Sequence, residues 1–168
     1  MAAGSWYSAG CCNQSCCLRS PRVDNGPRFR SQVLGPHFES LARAWTTRYA
    51  SARTLGGRPG RVGFVQVSDP QAKQSFELDV VAQSDGETVD GKPTLLAIGE
   101  AKASTAPRGL GDIARLERLR SLLTGRANVA GARLLLFSRS GFDADVIAHA
   151  RRRRDVELVD LERLYGGD

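Results

Sequence analysis

The chain has 168 residues, of which 41% are hydrophobic and 25% charged, enough for one ordinary globular domain with a sizeable core. No apolar run approaches the roughly 20 residues that span a bilayer, and residues 1–20 lack an apolar signal core, which excludes an integral membrane protein and a secretory leader. The net charge of +6 permits a polyanionic partner, while the two histidines, His37 and His149, exclude a multi-histidine zinc site.

Residues 1–30 mix Cys, Ser, Asn, Gly and Pro without periodicity and are expected to be a disordered leader or the remnant of a truncated upstream region. All four cysteines lie there, as Cys11, Cys12, Cys16 and Cys17 in CCNQSCC. Soft metals take thiolates, but adjacent Cys pairs suit one tetrahedral ion badly and no second ligand pair follows. The 151 residues after Cys17 hold no cysteine, so a disulfide-built fold is not expected and a reducing cytoplasm fits best.

The folded part is expected over residues 31–168. Leu34, Phe38, Leu41, Ala42, Trp45 and Tyr49 recur at steps of three and four, which predicts a helix that starts near Gly35-Pro36 and stops at Gly56-Gly57. Val62–Val67, Phe76–Ala82 and Thr94–Lys102 are predicted strands, with Ser84–Pro93 as a long polar loop between the last two. A helix is predicted over Pro107–Thr124, and a buried strand over Ala132–Phe137. Asp143 is placed to cap a helix reaching about Arg153, before a strand at Val156–Val159 and a helical turn at Leu161–Tyr165. The order α-β-β-β-α-β-α-β describes one α/β domain with a mixed central sheet.

Period two places Leu96, Ile98, Glu100 and Lys102 on one face of the third strand, and a hairpin brings Asp79 beside Glu100. Two carboxylates with the Ala101 carbonyl make an oxygen cage for a hard cation such as Mg²⁺ or Mn²⁺. An adjacent ammonium can hold a water and stabilise charge growing on a phosphate. That set suits metal-assisted phosphodiester hydrolysis. The same spacing also describes a strand end with a solvated ion pair, and spacing alone does not separate the two.

These residues carry a resemblance. From about Val33 to Gly166 the chain resembles the PD-(D/E)xK, or restriction-endonuclease-like, superfamily, through Glu39 in GPHFESLARAW, Asp79 in FELDVVA and Glu100-Ala101-Lys102 in LLAIGEAKAS. With LLLFSRSGF and VELVDLERLYGG it looks like the nuclease-like domain at the C-terminus of prokaryotic AAA-type ATPases. The resemblance implies a restriction-endonuclease-like fold and Asp79 and Glu100 as metal ligands. It also implies Lys102 as the catalytic lysine, with Glu39 completing the site from its helix. It further implies DNA, ahead of RNA, as substrate, and a P-loop ATPase module as partner. The residue before Asp79 is Leu78 where the superfamily's name has Pro, and 21 positions separate Asp79 from Glu100.

Two look-alike motifs fail on context. Gly86 to Lys92 has P-loop spacing but is followed by Pro93 and no helix, and Gly109-Leu110-Gly111 does not directly follow its strand. Residues 70–102 are net −3, whereas 31–69 and 103–168 are each net +3, an acidic centre between basic flanks. Arg108, Arg115 and Arg118 are the expected phosphate contacts, unless they only decorate an exposed helix face. Arg151–Arg154 ends a helix, where cations complement its dipole. The leading expectation is a metal-dependent DNA nuclease-like domain. A catalytically silent nucleic-acid-binding or regulatory domain of an ATPase, or a gene fragment, stands as the alternative.

Overall fold

The computed structural model describes residues 30–168, so the expectations about the leader and its four cysteines lie outside the described residues. A π-helical turn at Arg30–Leu34 runs into α1 (Gly35–Arg48), which Pro36 opens with its preset φ. Phe38, Ala42 and Trp45 form the buried stripe of α1. The helix does not continue to Gly56. Ser51 breaks it, accepting the Thr54 N–H through Oγ at 3.1 Å and so capping a separate one-turn helix, α2 (Ala52–Leu55). Gly56, at φ +80°, ends α2 in the left-handed conformation.

Three long strands follow, β1 (Pro59–Asp69), β2 (Gln74–Val89) and β3 (Lys92–Lys102). Then come α3 (Leu110–Leu123), β4 (Arg133–Ser138), α4 (Ala144–Arg151), β5 (Val156–Val159) and α5 (Leu161–Gly166). The five strands form one open mixed sheet in chain order, antiparallel from β1 to β3 and parallel from β3 to β5. The architecture is α/β.

The expected Ser84–Pro93 loop is largely strand. Asp90 (φ +52°) and Gly91 (φ +72°) form the two-residue turn that right-twisted hairpins prefer, so pairing resumes at once with Val89 opposite Lys92. The P-loop look-alike therefore lies in a hairpin. At the β1–β2 turn, the Asp69 carboxylate accepts the Gln71 and Ala72 N–H groups, both at 3.0 Å. Asp143 stands at the α4 N-cap, yet its side chain makes no capping bond.

Apolar side chains cover both faces of the sheet. On one, Leu78, Leu95, Ile98, Leu134 and Leu136 pack beneath Ile113, Leu116, Leu119 and Leu123 of α3. On the other, Val80, Ala82, Leu96, Leu135 and Phe137 meet Phe38, Ala42 and Trp45 of α1 and Leu164 of α5. Trp45 is 1% exposed, and its ring stands edge-on to Phe137 at 5.6 Å. Uninterrupted burial of β4 follows from its central position between parallel neighbours.

Two register shifts decide which side chains face which helix. Pairing jumps between Ala82↔Ala97 and Gln83↔Leu95, leaving Leu96 unpaired. Leu96 therefore joins Ala97 on the α1 side, not Ile98 and Glu100 as period two predicts. A second jump, from Gly63↔Val81 to Val65↔Leu78, inserts an extra residue in β2 around Asp79-Val80.

Candidate functional site

The β2–β3 ladder ends at Val80↔Gly99, while β3 continues beside β4 as far as Lys102↔Ser138. The sheet forks there, and Asp79, Ala101 and Lys102 sit in the fork. With no β2 residue opposite it, the Ala101 N–H is taken by Asp79 Oδ2 at 2.7 Å. Arg43 of α1 donates to the Asp79 backbone carbonyl at 2.9 Å, tying helix to strand. Asp79 is 6% exposed.

Among the described residues, Glu39, Glu77 and Asp79 form a group of three acids with oxygens close enough to share one ion, all within 4.8 Å of one another. Glu39 reaches them from α1, half-buried, consistent with its place at the edge of the apolar stripe. Period two sets Glu77 and Asp79 on the α1 side of β2, and the extra residue turns Val80 to that side as well. Burial raises the Asp79 carboxyl above its ordinary range, against the Ala101 N–H and Lys102; Glu100 and Glu77 add to the rise. Glu39 is raised as well, by burial and then by Asp79. A site that resists holding all its negative charge is one that a cation would relieve.

Glu100, expected as a ligand beside Asp79, lies outside that trio. It is 1% exposed, with Lys102 Nζ 2.6 Å and Arg115 Nη1 3.4 Å from Oε1. Neither contact has hydrogen-bond geometry, so both carboxylate oxygens are buried without a hydrogen bond. Lys102 is about one-third exposed along its side chain, at the mouth of the fork.

The three arginines expected on phosphate all have acidic partners. Arg108 pairs with Asp112 at the start of α3, Arg115 stands by Glu100 with its guanidinium 5.4 Å from the Phe76 ring centre, and Arg118 pairs with the buried Asp69. Arg153 likewise serves tertiary structure, bonding Asp155 and Glu117. Sequence reasoning missed Glu77 as a site residue, although period two already set it on Asp79's face of β2.

No helix among the described residues is long and apolar enough to cross a membrane. Comparison with protein-family models, with curated proteins and with solved structures gives no match.

Proposed function

We propose that this chain is a metal-dependent nuclease-like domain that hydrolyses DNA phosphodiesters and works with a P-loop ATPase module. On this reading the sheet is a restriction-endonuclease-like core, as the sequence resemblance implies. The observation that carries the reading is the fork itself. Glu39, Glu77 and Asp79 converge there without a balancing hydrogen-bonded cation, next to a buried Glu100 whose oxygens have no hydrogen bond. Hard carboxylate oxygens are the donor set of Mg²⁺ or Mn²⁺, and surrendering Glu100 to an ion would break no hydrogen bond.

Glu39, Glu77 and Asp79 would hold the ion on the α1 side, with Glu100 near the fork on the α3 side. When bound, such an ion polarises a phosphoryl oxygen and neutralises charge as it builds. Lys102, partly exposed and anchored by Glu100, would meet a non-bridging phosphate oxygen and orient the attacking water. Arg43 holds the Asp79 backbone against α1, so that Glu39 and Asp79 keep one spacing. Arg115 of α3 meets Glu100 on the face of the sheet away from α1.

The test is cleavage of supercoiled plasmid DNA by purified protein with Mg²⁺ or Mn²⁺. Asp79→Ala and Lys102→Ala should each abolish cutting, with Lys102→Ala retaining DNA affinity. Equal cutting by Lys102→Ala and wild type would refute the mechanism. A silent binding or regulatory domain is the second reading, favoured by the ion pairing of Glu100 with Lys102 and Arg115. It expects salt-sensitive DNA binding and no cutting with either metal.

A further inference from the structure

At the opposite end of the sheet, the starts of β4 and β5 and the end of α3 line an open hollow of about 650 Å³. A second hollow of about 440 Å³ shares Arg133 and Arg154 with it. From Arg133 here, β4 runs to Ser138 beside Lys102, roughly 17 Å of chain at about 3.3 Å per residue. The hollow is thus separate from the fork.

Charge in this hollow does not balance. Its acids are Asp155 and Glu157. Asp155 is held by Arg120 at 2.9 Å and by Arg153 at 2.7 Å, and Glu157 by Arg163 at 2.9 Å. Hydrogen bonds from Arg153 keep the Asp155 carboxyl far below the usual carboxylate range. Arg53, Arg133 and Arg154 remain, and among the described residues none of them has an ion pair or a side-chain hydrogen bond. Gly56 and the small residues at 130–132 line the larger hollow and leave it unfilled.

We propose that this hollow binds a small oligophosphate, of the class of nucleoside di- and triphosphates, through Arg53, Arg133 and Arg154. Planar guanidinium forks match phosphate oxygens two at a time. The volume is that of a small-molecule site. A nucleic-acid backbone follows a continuous basic stripe, whereas here the three arginines gather at one concave hollow. The site stands independently of the nuclease reading, because none of its residues lies at the fork.

The test is calorimetric titration and thermal denaturation of the purified chain with inorganic tripolyphosphate, ATP and a single-stranded oligonucleotide at constant ionic strength. Tripolyphosphate and ATP should bind saturably, one per chain, and raise Tm by a few degrees. The Arg133→Gln/Arg154→Gln double variant should bind at least about tenfold more weakly while its ligand-free Tm stays close to wild type. Arg53→Gln should weaken binding too, and Lys102→Ala should bind as wild type does. Absence of saturation at millimolar ligand, undiminished binding by the double variant, or binding of the oligonucleotide alone would each overturn the proposal.

Discussion

Asp79 Oδ2 accepts the backbone N–H of Ala101 at 2.7 Å, across the point where β2 and β3 part. One carboxylate thus satisfies the donor that the lost ladder leaves behind, and it does so at the cost of being buried next to Glu39 and Glu77. The fork is structurally completed by a group whose charge the fold does not fully balance.

That imbalance gives a pH dependence. Asp79 and Glu39 have folded pKa values above their ordinary ones. The folded state therefore binds protons more readily than the unfolded one, and each carboxylate costs stability once ionised. The cost grows as pH rises through the raised values and is gone once pH has fallen to the unfolded ones. Asp79→Asn, which can still accept the Ala101 N–H, should melt higher than wild type at pH 7 without divalent ions. Its advantage should vanish towards pH 3.5 to 4, near the unfolded range. A Tm difference that stays constant with pH would show that desolvation of Asp79 is unimportant.

The Glu100–Lys102 contact predicts a coupling. Lys102→Met leaves the buried Glu100 carboxylate with Arg115 as its remaining cation. Solvent reaches Lys102, so the loss should be about 1–3 kcal/mol, below the penalty for a fully buried pair. Glu100→Gln removes the buried charge and should be near neutral. The double variant should recover most of the loss, giving a coupling energy of about 1–2 kcal/mol in urea denaturation. Additive effects would mean that the pair does not interact.

Sequence patterning made α1 and α3 legible through apolar repeats at 3.6 spacing, β2 through alternation, and β4 through its continuous apolar run. It did not reveal the bulges. Leu95, Leu96, Ala97 and Ile98 are all apolar, so no alternation marks where Leu96 changes face, and Leu78 to Ala82 hides the extra residue in β2 similarly. The Asp90-Gly91 turn did carry a signal, outweighed by the polarity around it. Glu39, Asp79, Glu100 and Lys102 were identifiable as candidates, but not the fates of Arg115 and Arg118. Those depended on Glu100 and Asp69 being buried across the sheet from α1.

Gly99 is fixed by space. A Cβ there would lie 2.8 Å from the Leu135 carbonyl oxygen and 2.9 Å from Leu135 Cβ, on the neighbouring strand. Gly99→Ala should therefore destabilise by about 1–3 kcal/mol through overpacking. Gly111, in α3, has nothing within 4 Å of the same position. Gly111→Ala should stabilise by about 0.5–1 kcal/mol through helix propensity and lost unfolded-state freedom. Chemical denaturation of both variants checks the contrast, and equal effects would contradict the close approach of β3 and β4 at Gly99.

The last prediction concerns which carboxylates hold an ion. The sequence resemblance implies Asp79 and Glu100, whereas the geometry gathers Glu39, Glu77 and Asp79 within 4.8 Å. An ion that binds the folded chain alone stabilises it by RT ln(1 + [L]/Kd), about 2.7 kcal/mol at a hundredfold excess over Kd. Mn²⁺ should therefore raise Tm at pH 7, and less so at lower pH, where protons compete for Glu39 and Asp79. Glu39→Gln, Glu77→Gln and Asp79→Asn should each abolish or greatly reduce that rise, while Glu100→Gln keeps most of it. The opposite pattern, with Glu77→Gln responding like wild type and Glu100→Gln not at all, would assign the ion to the Asp79–Glu100 pair. Glu77 would then be an exposed acid on the β2 edge of the site. No Mn²⁺ effect in wild type would remove the metal centre altogether and leave the silent binding domain as the reading of the fork.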